Sequence, residues 1–162
     1  MDNVDHVRPL ERRVSYRISR IHGRINAQAA RILSDAADIS LSQWRILVMV
    51  AADPDGEISA TEVVRRAKID KAMVSRAIKS LSAADLVQVV VSEADQRLHK
   101  VRMTDAGRAR FEKALPHMLA RQDGLMAPFD EEEEQQLFRL LAKLEDAILA
   151  MEDETAQQTA AE

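Results

Sequence analysis

The chain has no cysteine, and its 162 residues include only four glycines, four prolines, one tryptophan, one tyrosine and three phenylalanines. Without a thiol there is no disulfide staple and no thiol-oxidation switch. So few glycines leave nothing from which to build a glycine-rich phosphate cradle, and no Ser/His/Asp signature stands out, so an enzyme is not expected. The four histidines, His6, His22, His99 and His117, lack metal-ligand spacing, so neither a metal nor another cofactor is expected. No apolar run approaches the roughly 18 residues of a membrane span, and the start carries no signal-peptide pattern. A cytoplasmic protein without membrane contact is the expectation. With 46% hydrophobic residues but only 3% aromatics, the core must be aliphatic, in one compact domain or one domain plus a helical dimerisation region.

What is present is concentrated between Ser59 and Met103. Ser59 followed by Glu62 is a capping box, and Val63, Val64 and Ala67 give the helix it opens an apolar side. Asp70 is a good N-cap for a second helix over about Lys71 to Ala83. At 100° per residue, Met73, Val74, Ala77, Ile78 and Leu81 gather on one side of it, and Lys71, Ala72, Ser75, Arg76 and Lys79 on the other. The second group holds cations, a hydroxyl and a methyl but no carboxylate. A merely solvated face mixes both signs of charge, so this one favours an anionic partner.

Two strands follow. Val87, Val89 and Val91 alternate with Gln88, Val90 and Ser92. Glu93-Ala94-Asp95-Gln96 is turn-like, and Leu98 to Met103 returns with Val101 and Met103 on one face and Lys100 and Arg102 on the other. A helix pair followed directly by such a hairpin is a winged helix-turn-helix, which offers a helix to the major groove of DNA and a finger to the minor groove. Arg97, near the hairpin tip, is placed to enter a minor groove, and Asp95 to hold its guanidinium by a bidentate pair.

The net charge of −4 argues against nucleic acid only until its distribution is read. Residues 59–103 hold nine Lys/Arg against five Asp/Glu, and residues 1–34 hold seven against three, whereas residues 130–162 hold two against eleven. Binding responds to the local field, not the total.

The flanking segments are helical. From about Pro9 to Ser34, Leu10, Val14, Ile18, Ile21, Ile25 and Ile32 recur at spacings that make an amphipathic helix. Ser40-x-x-Gln43 opens a helix through Ala52, with Trp44, Leu47, Val48 and Ala51 on one side, and Asp53-Pro54-Asp55-Gly56 ends it. Thr104 to about Gly124 is a further helix with Phe111, Leu115, Met118 and Leu119 on one side, which Pro116 should kink or split. Asp130 to Asp153 is the last, with Leu137, Leu141, Leu144, Ile148 and Met151 in a seam and an acidic start suited to the helix dipole. The expected organisation is mostly α with a small β-wing. It comprises an N-terminal dimerisation helix (8–35), a winged helix-turn-helix (40–103, wing 87–103), C-terminal dimerisation helices (104–153) and a frayed tail (154–162). The first and last seams need another surface, most simply a second copy of the chain. A homodimer would set two recognition helices about one turn of DNA apart, matching a palindromic site.

The helix-wing-helix order, the DKAMVSRAIKSL segment, Asp95-x-Arg97, Thr104-x-x-Gly107 and the SQWRIL segment together resemble the MarR family of bacterial regulators, over about residues 10 to 150. Two positions depart from the family pattern. Asp85 stands where glycine is frequent, so it must itself take the helix-ending conformation, and Met103 replaces the leucine before the capping threonine. The resemblance implies major-groove contacts from Lys71, Ala72, Ser75, Arg76 and Lys79, and a minor-groove contact from Arg97 oriented by Asp95. It further implies a small aromatic or phenolic effector near Tyr16, Arg20, His22, Trp44, Arg45 and Met49, a ligand-responsive repressor being the commoner case. The alternatives are a winged helix used as a protein-interaction module and a non-specific architectural DNA binder.

Overall fold

The structure is a computed structural model that describes residues 12–67, 70–91 and 99–161. Its elements in chain order are α1 (Val14–Ala37), α2 (Leu41–Ala52), β1 (Glu57–Ser59), α3 (Ala60–Ala67), α4 (Lys71–Ala83), β2 (Val87–Val91), β3 (His99–Met103), α5 (Asp105–Met126) and α6 (Glu131–Ala161). They fall into two compact units, residues 1–119 and 120–162. None of the described helices is long and apolar enough to cross a membrane.

In the first unit α1 runs three residues past Ser34 and ends at Asp38, whose φ of 51° is left-handed. Only Ala29, Leu33 and Ala37 are buried on it, so its first half is uncovered. From α5, Arg110 Nη1 donates to the Ala37 carbonyl at 2.6 Å and lies 3.8 Å from the Asp38 carboxylate. A cation thus satisfies an orphan carbonyl at the negative end of the α1 dipole.

The Ser40-Gln43 capping box is formed in both directions: Gln43 N donates to Ser40 Oγ at 3.2 Å and Ser40 N to Gln43 Oε1 at 2.7 Å. On α2, Trp44 and Leu47 are buried as the spacing predicts, but so are Ile46 and Val50, while Val48 and Ala51 are exposed. This helix packs against α1, α4, β1 and β3, so a single apolar side is a poor description of its surroundings.

Asp53-Pro54-Asp55-Gly56 turns the chain with Gly56 at φ 68°, and it delivers a strand that sequence patterning does not suggest. β1 pairs with β3 through Ile58 opposite Val101, and the antiparallel sheet has the order β1-β3-β2. Three residues are too few to show alternation. Glu57 accepts from Lys100 at 2.9 Å, a bond that raises the lysine's pKa and ties the wing's root to the core.

α4 ends in a Schellman arrangement. Leu86 N donates to Leu81 O at 2.9 Å and Asp85 N to Ser82 O at 3.1 Å, with Asp85 at φ 55°. Asp85 therefore takes the left-handed position expected of it. Thr104 closes the same corner: its hydroxyl donates to Asp85 O at 2.6 Å and accepts from Gly107 N at 3.0 Å, and its amide donates to Leu86 O at 3.2 Å. Gly107 is obligatory here, because a Cβ would lie 1.8 Å from the Leu86 carbonyl oxygen.

Leu33, Ile39, Trp44, Ile46, Leu47, Val50, Ile58, Val63, Val74, Leu81, Leu86, Val87 and Val101 belong to one buried cluster, with Phe111, Leu115 and Met118 of α5 packed on it. Leu119, expected on that side, is 56% exposed. Pro116 does not split α5, which runs continuously through Met126.

In the second unit Asp130 and Glu133 form another reciprocal capping box, with Glu133 N donating to Asp130 Oδ1 at 2.8 Å and Asp130 N to Glu133 Oε2 at 3.1 Å. α6 continues to Ala161, past the end near Asp153 that the pattern suggests. Of its seam, Leu137 and Leu144 are half-buried while Leu141, Ile148 and Met151 are exposed, as are Phe138, Leu140 and Leu149 beside them.

Gly107→Ala is expected to cost more than about 2 kcal/mol, since neither backbone can yield without breaking the corner. Asp85→Gly should stabilise by about 1 kcal/mol by relieving the left-handed conformation. Urea unfolding midpoints of the two variants against the parent protein test both.

Candidate nucleic-acid interface

The site is built on α4. Asp70 Oδ1 accepts from Met73 N at 3.0 Å, so the N-cap is the expected one. The buried side is Val74, Ala77, Ile78 and Leu81. Lys71, Ala72, Ser75, Arg76 and Lys79 are all exposed, which brings the five residues singled out from sequence onto one uncovered face. Met73, assigned to the core side, is instead 40% exposed. It lies at the edge of that side, where a helical angle alone does not tell how wide the buried stripe is.

Two helices flank this face. On one side α3 leaves a groove of about 320 Å³ lined by Ala60, Thr61 and Val64 against Lys71, Ser75 and Lys79. On the other, Gln43 of α2 donates through Nε2 to Ser80 Oγ at 3.0 Å. The groove has an apolar floor and a cationic rim, while the α2 edge is polar.

α3 adds arginines held by a shared carboxylate. Glu62 N donates to Ser59 Oγ at 3.1 Å, so the serine half of the expected capping box is present. The Glu62 carboxylate turns instead to Arg65, whose Nε donates at 2.7 Å, and to Arg66. Arg66 also lies 3.6 Å from the Asp53 carboxylate. Hydrogen bonds from Arg65 and Arg66 lower the Glu62 pKa to about 2, and the Arg65 pKa is raised by the same bond. At the wing's root Gln88 sits opposite Arg102. With its amide oxygen turned toward the guanidinium it accepts from Arg102 Nε and Nη2 at 3.1 and 3.0 Å. Asp95 and Arg97 lie outside the described residues.

Of the residues expected to line an effector crevice, Tyr16, Arg20 and His22 are exposed on α1. Trp44 is 7% exposed and stacks on Phe111 of α5, centroids 5.1 Å apart. Met49 packs against the core. Arg45 is half-buried and donates to Asn26 Oδ1 at 3.2 Å, while Asn26 Nδ2 is 2.9 Å from His22 Nε2. The fold therefore gathers His22 and Arg45 on one asparagine that sequence inspection did not single out. Among the described residues no cluster of His, Asp or Glu could hold a metal ion.

The profile of the MarR family matches residues 37–98, from the end of α1 into the wing. A solved MarR-family transcriptional regulator from Silicibacter pomeroyi is 30% identical, with 84% of this chain and 90% of that chain covered and a TM-score of 0.67. The chain belongs to the MarR family. Another relative, the HTH-type transcriptional regulator TcaR of Staphylococcus aureus strain Newman, is 34% identical over 110 residues. That match covers 65% of this chain and 66% of TcaR, just under two thirds of its length. The S. aureus MepR–DNA complex shares the fold at a TM-score of 0.78 and 20% identity, with 85% of this chain and 98% of that chain covered.

The Glu62 cluster has a pH signature. Folding lowers this carboxyl's pKa, so its contacts stabilise the fold fully above the ordinary value of 4.5 and cease to do so as the pH falls through about 2. The difference in unfolding midpoint between the parent protein and Glu62→Gln should be constant above about pH 5 and shrink steadily on acidification. A difference that persists at the acid end would show that the ion pairs are not its source.

Proposed function

We propose that this MarR-family chain is a sequence-specific double-stranded DNA-binding regulator of transcription, acting as a homodimer on a palindromic operator, and that it is a ligand-responsive repressor. The observation that carries the DNA reading is the uncovered α4 face, where Lys71, Arg76 and Lys79 are exposed around Ala72 and Ser75 with no carboxylate on the helix. Lys71, Arg76 and Lys79 are suited to phosphates or base edges, Ser75 to either, and Ala72 to a thymine methyl. Asp95 and Arg97 complete the proposed contact set from the sequence, with Arg97 in the minor groove. No catalytic step is assigned, and the cytoplasm is the compartment the role calls for.

The dimer reading is supported by large apolar side chains that the single chain leaves uncovered: Val14, Ile18 and Ile21 on α1, and Leu141, Ile148 and Met151 on α6. It is supported too by charge. α1 carries Arg17, Arg20, Arg24 and Arg31 against one acid, Asp35, whereas α6 begins with four glutamates. For the effector, Arg45 and His22 flanking Asn26, with Tyr16 and Arg20 along the same helix, offer cations and an aromatic ring to an aromatic acid or phenol. Trp44 would act on such a ligand only from behind, through its packing. Release from DNA requires that the ligand bind one dimer geometry better than the other.

Selection of bound duplexes from a random library tests the central reading, with an enriched palindrome as the expected result. Binding without enrichment would leave an architectural protein, and absence of binding would leave a protein-interaction module. Arg76→Ala and Arg97→Ala should each weaken operator binding by about 1 kcal/mol or more, and affinity should fall steeply with added salt. Ile148→Asp should convert the dimer to monomer in sedimentation equilibrium while circular dichroism stays helical.

A further inference from the structure

Resting on the DNA-binding reading, we propose that Gln43 is a positioning residue for base recognition, and that its bond to Ser80 sets the roll of α4 about its own axis. The Gln43 amide is committed at both ends. Its oxygen accepts from the Ser40 backbone N–H at 2.7 Å, which anchors it at the N-terminus of α2, and its nitrogen donates to Ser80 Oγ at 3.0 Å on α4. Among the described residues this is the one side-chain hydrogen bond that joins α4 to another helix.

Backbone bonds from Asp85 and Leu86 fix the C-terminal end of α4, and the side chains it buries against its neighbours, Val74, Ala77, Ile78 and Leu81, are apolar. Apolar burial is non-directional and tolerates small rotations, whereas a hydrogen bond weakens steeply off its axis. On the opposite flank lies the α3 groove, crossed by no side-chain hydrogen bond among the described residues. Roll matters because a helix is about 10–12 Å across with its side chains, so a turn of about 10° moves outer atoms by about 1 Å. Bonds to base edges do not survive such an error, while long lysine and arginine side chains follow a phosphate through it. The Gln43–Ser80 bridge therefore acts on specificity more than on overall affinity for DNA.

Ser80→Ala isolates the effect. It removes the acceptor, leaves the Ser40-Gln43 capping box untouched, and replaces an exposed helical serine with a better helix former. The measurement is the ratio of affinities for the selected operator and for an unrelated duplex of equal length, alongside the thermal midpoint. Ser80→Ala is expected to lower that ratio by about three- to tenfold, the worth of one hydrogen bond, with the midpoint and the unrelated-duplex affinity unchanged. Ser80→Thr, which keeps a hydroxyl, should restore the ratio, and Gln43→Ala/Ser80→Ala should be no worse than Gln43→Ala alone. An unchanged ratio in Ser80→Ala overturns the proposal. Equal loss on both duplexes, additive with Gln43→Ala, overturns it in favour of a direct phosphate contact by Ser80. A parent protein with no preferred duplex fails earlier, at the regulatory reading itself, and is recognised without any variant.

Discussion

The corner at Asp85, Leu86, Thr104 and Gly107 is the constraint on which the rest of this molecule depends. Four elements meet there: α4 ends, β2 begins, β3 ends and α5 begins. One hydroxyl bonds in two directions, to the Asp85 carbonyl at 2.6 Å and from the Gly107 amide at 3.0 Å. A glycine lets the Leu86 carbonyl approach where any side chain would collide. Because α4, the β2–β3 strands and α5 all leave from this corner, their directions are set together. The aliphatic core fills the space between them, but burial alone is non-directional and would not fix those angles.

Charge is arranged in local packets. Cations without partners on their own helix face outward from α4, while on α3 and at the wing's root cations are held by Glu62, Asp53 and Glu57. The first set directs its field outward. The second uses it internally, to hold α3 against the turn after α2 and to hold β3 against β1. The acidic surplus sits mainly in α6, within the other compact unit. That is how an acidic protein of pI about 5.6 presents a basic face on α4.

Much of this was legible in the residues. Asp70 and the apolar spacing behind it located α4 to the residue, and the valine alternation located β2. The odd placement of Asp85 was visible as a departure from the family pattern. What could not be read was whatever depends on distant pairing. β1 exists because Ile58 meets Val101, and three residues carry no period of their own. Trp44 fits both the apolar side of α2 and a crevice in the residue pattern, and it is Phe111, arriving from α5, that stacks on it in the core. Gln43 was visible as a cap, but its second bond crosses 37 residues to Ser80. Met73 and Val48 were assigned inward because a helical angle gives direction without the breadth of the surface that covers it.

The partial burial of α1 has a mechanical consequence. The helix is gripped at its far end, where Leu33 and Ala37 enter the core and Arg110 holds its terminal carbonyl, while Val14 through Arg24 are exposed. It resembles a cantilever whose exposed arm is about 16 Å long. Whatever takes hold of that arm works on the core with leverage, so a small tilt at the clamp corresponds to a large sweep at the tip. Asn26, with Arg45 on one side and His22 on the other, sits just beyond that arm, where a side-chain bond ties α1 to α2.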